Sequence, residues 1–405
     1  MAEIAFQTLG FREREGALQV DLLRHFSTII PKEDLASLGE WKIIDGHTLA
    51  LSGKDIEKIR TKFLFLFDKH LPQLKTKLTG NPAVYIHQNS NIPLLGNPAF
   101  GIVCRGSSII EIKPITSCNL DCVYCSVGEG LSSKKTDFVI EKDYLVEELK
   151  AIIDFVGESV EIHVGVQGEP FFYVPMEELL ADLEEMPLVH TVSIDTNGTL
   201  LTKEKVDRLS AFQKLQLNLS LDAIDETIAK KMAGTSSYNL KHVMKIIAYC
   251  SEKMPRQPIV APVVVPGQND QEMGKIIEFV KTLPRMPILG IQNFLPYKTG
   301  RNPTASWSWE QFYHFIKDLE KRYDIKLRLS EEDFKIRKIK DLPKPFQNDD
   351  VVQAIIKCPD RFKDTSIAVA KGRMISIPNC PFKKDKHVTV KINRDKHNIF
   401  SGKLV

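Results

Sequence analysis

Long apolar runs are missing from this 405-residue chain, and none approaches the ~18 residues that would suggest a membrane span. The amino end, "MAEIAFQTLGFREREG", lacks a basic region followed by an apolar stretch, so no secretory signal is expected. Low-complexity tracts are absent too, and 43% hydrophobic with 26% charged residues is ordinary for a globular protein. The length allows two or three domains with sizeable cores. These absences point to the cytoplasm, where thiols stay reduced. Clustered cysteines then suggest metal binding or catalysis more than disulfides.

Charge is nearly balanced at +3, but unevenly spread. Residues 346–405 hold 12 Lys or Arg against 6 Asp or Glu, a local +6. Residues 1–95 are close to neutral, which leaves the middle of the chain acidic. A basic tail on an acidic body suits docking to a polyanion, although mixed solvated charge reads the same way.

What is present in the middle is alternation. "SIIEIKP" reads as a strand that runs into a cysteine-rich loop. "DYLVEELKAIIDFV" carries the apolar stripe of an amphipathic helix, with Leu145, Leu149, Ile152, Ile153 and Val156 on one face. "VEIHVGV" alternates, with Val160, Ile162, Val164 and Val166 on one side, and "TVSIDTNG", "LQLNLSLD", "IVAPVVVP" and "ILGIQNF" follow as further strands. Six β/α units between about Ser108 and Phe294 argue for parallel pairing, in an open sheet or a partial or full barrel. The polar clusters "QGEP", "DTNG", "SLDA" and "PGQND" all follow strands, where such folds place their chemistry.

The loop "ITSCNLDCVYCSVGEG" puts three of the seven cysteines in eight positions, Cys118, Cys122 and Cys125, in the order C-x3-C-x2-C. A closed zinc site needs four ligands; here the local set stops at three. Thiolates also hold iron–sulfur clusters, and a four-iron cluster on three thiolates leaves one iron open to a small molecule.

With Tyr124 before the last cysteine and a strand leading in, the motif resembles the signature of radical S-adenosylmethionine (SAM) enzymes. The resemblance covers about residues 105–300. It implies a partial (β/α)6 TIM-like barrel and a [4Fe–4S] cluster on Cys118, Cys122 and Cys125. SAM on the open iron would be cleaved reductively to a 5′-deoxyadenosyl radical, with electrons from a separate donor. "GVQGEP" resembles the family's GGEP segment through Gly168, Glu169 and Pro170, with Gln167 in place of the first glycine. Thr196, Asn197, Ser220 and Asp222 fall where the family contacts SAM, and Val265 with Pro266 on its adenine side. Each segment also has a plain reading as a turn, connector or cap. No cysteine precedes Cys104, so the three-cysteine amino-terminal domain of methylthiotransferases is missing. The compact cysteine-rich carboxyl region of auxiliary-cluster relatives is missing as well. Cys104, Cys250, Cys358 and Cys380 read most simply as packing residues.

Flanking segments complete the expected organisation: an α+β accessory domain over 1–95, the barrel over 96–340 and a small antiparallel β-barrel over 346–405. The last, ending "HVTVKINRDKHNIFSGKLV", resembles a TRAM domain, an RNA-binding barrel. Lys371, Arg373, Lys391, Arg394, Lys396, His397 and Lys403 would meet phosphates, and Phe400 would serve as a stacking or core residue. Lys298 and Arg301, in "LPYKTGRNP", would stand at the mouth of the site, free to hold a phosphate or carboxylate. The expected function is radical SAM modification of a tRNA or rRNA nucleoside. The alternatives are a radical SAM enzyme for a small metabolite or protein, and a non-enzymatic, zinc-stabilised RNA-binding protein.

Overall fold

The alternation folds into the expected parallel sheet. In the computed structural model, which describes residues 1–405, the strands are β1 (Ile109–Lys113), β2 (Val160–Val164), β3 (Val189–Thr196), β4 (Leu215–Leu219), β5 (Ile259–Val260) and β6 (Ile288–Leu289). They lie side by side in chain order, and the strand Gly101–Cys104 adds antiparallel to the free edge of β1. The sheet curls without closing between β6 and β1, so the barrel is partial. Its helices are α1 (Lys142–Val156), α2 (Met176–Glu184), α3 (Lys203–Leu209), α4 (Glu226–Ala233), α5 (Leu240–Lys253), α6 (Glu272–Lys281) and α7 (Trp309–Tyr323).

Period-two patterning decides which face is which. Ile110, Ile112, Val160, Ile162, Val164, Leu215, Leu217 and Leu219 are all completely buried, each contributing about 1.5–3 kcal/mol relative to exposure. Glu111, Glu161, His163, Ser193, Asp195, Gln216 and Asn218 occupy the alternate positions, so the inner face of the barrel is polar. A cavity of about 320 Å³ lies against that inner face, flanked by Leu329, Phe334 and Ile336 from the connector after α7. That connector is pinned where Ser108 N donates to Arg337 O at 2.7 Å.

Two strands are shorter than their patterns suggest. The run through Val166 stops at Val164, and Val166 is half exposed at φ +58°. Pro262 interrupts the fifth strand, having no N–H for the ladder. Val263–Val264 then forms a separate parallel pair with Gln292–Asn293.

The amino-terminal segment has a three-stranded sheet (Ala2–Ala5, Thr48–Leu51, Trp41–Asp45) and a four-stranded one (Leu9–Arg14, Ala17–Leu22, Phe26–Ile30, Lys75–Thr76), with the helix Ile56–His70. It is not hydrophobically separate. Ala83–Ile86 pairs parallel with Asp137–Ile140, and one continuous core runs from Ile4 through the barrel to Leu342 and takes in Cys358, Ile367 and Met374 beyond it.

Residues 351–404 close into a five-stranded barrel with its own core, centred on Phe346, Ile356, Ile375, Ile377 and Phe400. Its order is Val351–Pro359, Thr365–Ala370, Arg373–Pro378, Ser401–Leu404 and His387–Arg394. It is not wholly antiparallel, because Arg373–Pro378 meets Ser401–Leu404 in parallel. Phe400 is fully buried edge-to-face on Phe346, with ring centroids 5.2 Å apart. Its role is in the core, not as a stacking platform.

Candidate active site

The cysteine loop leaves β1 and is held from three sides. Asp121 N and Val123 N donate to Ala233 O (2.9 Å) and Met232 O (3.0 Å) at the end of α4. Gly234 makes that approach possible: its φ is +66°, and a Cβ there would lie 2.0 Å from Asp121 O. From the loop after β6, Arg301 donates to Cys122 O (3.1 Å), Glu129 O (2.8 Å) and Ser132 Oγ (3.0 Å) and pairs with Asp121. Arg301 is therefore a clamp on the cysteine loop, because its Nη1 and Nη2 donors are committed to that loop. Lys298 stays exposed.

Cys118, Cys122 and Cys125 are free thiols, each half-buried. Burial pushes the Cys118 and Cys122 thiols well above the usual range. Glu169 adds to this for Cys118, and Cys118 and Asp222 add to it for Cys122. As thiolates beside Glu169 and Asp222, these three sulfurs would need bound positive charge, which fits a cluster of iron ions. No three His, Cys, Asp or Glu side chains are gathered tightly enough to chelate a single ion. A cluster does not require that, since each thiolate takes its own iron.

The strand ends supply the other wall. Gly168, at φ +70°, lets the chain pass Thr116 and Ser117, where a Cβ would come within 2.7 Å of backbone. Glu169 N then donates to Ser117 O at 2.9 Å, tying this turn to the cysteine loop. The Glu169 carboxylate is 1% exposed and accepts from Phe171 N (3.0 Å), Thr196 Oγ1 (2.8 Å) and Asn197 N (2.8 Å). Burial raises its pKa while those donors lower it. Pro170 opens the short helical turn Pro170–Phe172 behind it. Asn197 reaches back to the loop, donating to Asn119 Oδ1 at 3.0 Å.

Asp222, beyond β4, accepts from Tyr124 Oη at 2.5 Å and from Val263 N at 2.9 Å. Burial lifts its carboxyl to about 6 against those two donors. Tyr124, Asn197, Ser220 and Asp222 line one small cavity of about 40 Å³ with Cys122 and Tyr238. Gly168, Glu169, Pro170 and Thr196 stand outside its lining. Val265 is fully buried behind it, packed with Met232 and Phe294.

Asn269, within the strand-end cluster "PGQND", donates to Asp222 O (2.8 Å) and accepts from Val265 N (2.7 Å), fixing two strand ends together. On the inner face, His163 Nε2 meets Asp195 Oδ2 at 3.0 Å and its Nδ1 meets Ser193 Oγ at 2.8 Å. Ser193 Oγ donates to Glu161, and Asn218 Nδ2 to Asp195 Oδ1. Only alternation hinted at this network, by placing polar residues on one strand face.

A parallel partial barrel whose strand ends converge on a three-cysteine loop defines a radical SAM domain. The Radical SAM superfamily model matches residues 112–280. The uncharacterized protein MJ0103 of Methanocaldococcus jannaschii is 34% identical over 96% of this chain and 95% of its own length. The chain carries a radical SAM domain over residues 112–280 and belongs to the family of that archaeal protein. GTP 3',8-cyclase of Listeria monocytogenes serovar 1/2a is 32% identical over 44% of this chain, which spans about half (51%) of that enzyme. Among solved structures, a radical SAM methyltransferase from Sphaerobacter thermophilus aligns at TM-score 0.44 and 17% identity, over 55% of this chain and 65% of that one. Streptococcus suis SuiB aligns at TM-score 0.45 and 13% identity, over 80% and 71%. Radical SAM proteins use a [4Fe–4S] cluster and SAM. No helix of this chain is long and apolar enough to cross a membrane.

Proposed function

We propose that this radical SAM enzyme modifies a nucleoside of tRNA or rRNA, in the cytoplasm, with a separate reductant feeding its cluster. The family match sets aside the zinc-stabilised binding protein. When bound, the cluster and SAM supply a carbon radical that removes a hydrogen atom from the substrate. The chain's own residues do the rest. Cys118, Cys122 and Cys125 would hold the cluster, and Arg301 and the end of α4 keep their loop in place. Glu169, Thr196, Asn197, Ser220 and Asp222 would orient SAM between loop and strand ends. Tyr124 bridges the two walls.

The observation that carries the RNA reading is a rim on the carboxyl-terminal barrel, beside the cysteine loop. Phe362 and Phe382 are 45% and 40% exposed there. Their loops are joined where Cys380 N donates to Asp364 O at 2.8 Å. Lys135, five residues past the cysteine loop, lies 5.4 Å from the centroid of the Phe362 ring, and its neighbour Lys134, with Lys363 next to Phe362 and Lys383 and Lys384 next to Phe382, is exposed. Exposed rings among lysines suit single-stranded RNA, where each stacked base is worth roughly 1–3 kcal/mol and lysines meet phosphates. The closed barrel and its TRAM-like sequence support the same reading.

A small-metabolite substrate has one observation in its favour, the polar-walled cavity of about 320 Å³ inside the barrel. Two measurements separate them. Nucleoside mass spectrometry of RNA from cells lacking the protein should show a missing modification. Transfer-RNA binding by the full chain should weaken in a Phe382→Ala, Lys383→Ala, Lys384→Ala variant, with a salt slope lower by about one per lost phosphate contact. An unaltered nucleoside profile together with unchanged RNA affinity would favour the metabolite.

A further inference from the structure

The carboxyl-terminal barrel meets the rest of the chain through Cys358, Ile367 and Met374, which join the main core, and also through a buried charge. Arg361 lies between the strands Val351–Pro359 and Thr365–Ala370 and is 3% exposed. Its guanidinium ion-pairs with Glu129, 4% exposed, four residues beyond Cys125. Nη1 donates to Thr116 Oγ1 at 2.7 Å and to Thr136 O, and lies 3.5 Å from Asp137 Oδ1. Thr136 N returns a bond to Arg361 O at 3.0 Å.

The contact does not stop at Glu129. Gln167 Nε2 donates to Glu129 Oε1 at 2.6 Å, and Gln167 is itself 4% exposed. Gln167 immediately precedes Gly168 and Glu169. Thr116, the acceptor of Arg361, precedes Ser117 and Cys118 and also donates to Asp137 Oδ1 at 3.0 Å. One guanidinium therefore touches both ends of the cysteine loop and, through one amide, the strand-end turn of Glu169. Lys135, 3.8 Å from Glu129, is the remaining cation nearby, and it is half turned to its own loop carbonyls. Arg361 is not a member of the small barrel's own core, which is apolar.

We propose that Arg361 is a positioning residue for SAM binding. The carboxyl-terminal barrel acts as a built-in part of the cofactor site, setting the distance between the cysteine loop and the Gln167–Glu169 turn. A planar fork suits this place better than a lysine, since it meets a carboxylate, a hydroxyl and a carbonyl from one position. The same contact means that removing residues 346–405 would take from Glu129 and Asp137 the Arg361 cation. Truncation therefore tests the cofactor site as much as RNA docking.

The test uses the full chain reconstituted with iron and sulfide. Iron and sulfide content is measured first, then SAM affinity from the change SAM makes in the electron paramagnetic resonance spectrum of the reduced cluster. Arg361→Met should retain its cluster while SAM affinity falls roughly tenfold or more, the range for partners that orient ligands from behind. Arg361→Lys should recover part of that loss. If Arg361→Met fails to fold, the double variant Glu129→Gln, Arg361→Met removes both buried charges and carries the same expectation. Lys386→Ala, in an exposed loop of the barrel, should leave SAM affinity unchanged. Wild-type SAM affinity and spectrum in a folded, cluster-loaded Arg361→Met or double variant would overturn the proposal. An equal loss in Lys386→Ala would overturn it too.

Discussion

Tyr124 Oη donates to Asp222 Oδ2 at 2.5 Å, joining the cysteine loop to the end of β4. Both groups line the small cavity at the candidate site. Removing the hydroxyl leaves the carboxylate with Val263 N as its other donor. Tyr124→Phe should therefore lower unfolding free energy by about 1–3 kcal/mol, the cost of an under-satisfied buried acceptor. Urea denaturation at constant m-value checks it, and a loss below the resolution of the experiment would mean the bond is not maintained in solution.

Single Cys118→Ser, Cys122→Ser and Cys125→Ser variants should each reconstitute with little iron and lose the ~400 nm absorption of the cluster. Cys250→Ala and Cys358→Ala should keep both, since these thiols lie in hydrophobic cores. Iron and sulfide assays read the difference directly. Full loading of any of the first three would reassign that ligand.

Gly168→Ala and Gly234→Ala should both be costly. Each position has positive φ, and each Cβ would strike backbone of the cysteine loop or the residues leading into it, Thr116 and Ser117 at 2.7 Å and Asp121 O at 2.0 Å. The conformational penalty alone is about 1–3 kcal/mol, with the steric shift added. Thermal unfolding and iron content should fall together, whereas Gly372→Ala, also at positive φ but with open space around it, should affect stability alone.

The inner-face imidazole sets a pH dependence. Burial would depress the pKa of His163, but Asp195, then Glu161 and Glu111, outweigh burial and raise it to about 9. A histidine whose folded pKa exceeds its unfolded value of about 6.5 stabilises the protein fully below that value. The contribution disappears as pH rises through 9. Unfolding free energy should thus fall by about 1–3 kcal/mol between about pH 6.5 and pH 9.5, since a tenfold difference in proton affinity is worth about 1.36 kcal/mol. His163→Gln should flatten that interval in pH-dependent urea titrations, and an unchanged slope would show that the pair contributes nothing.

Much of the barrel was legible because its signals are local. Leu215, Leu217 and Leu219 alternate with Gln216 and Asn218 within a single strand, so one segment reveals both its period and its two faces. Glycine at 168 and the capped helices are likewise short-range features. Limits appeared where a neighbour in space overrode the pattern. Val166 fits the alternation of β2, yet the chain turns after Gly165, where a Cβ would lie 2.6 Å from Asp195 Oδ2. Arg301 looked like a free cation in a turn, and its four partners belong to a loop far upstream.

By itself, then, the sequence determined the three-cysteine loop and the order of β/α units. Spacing and periodicity within a dozen residues suffice for each, whereas closure of the small barrel, with its one parallel pair, depends on strands far apart in the chain. Tertiary structure alone decided what those parts hold on to. Glu169 spends three acceptor positions on Phe171, Thr196 and Asn197, and Glu129 is met by a guanidinium from another barrel. Such pairings are settled by which buried charges the folded chain brings together, because an ion removed from water needs its partner close by. No local pattern records that distance.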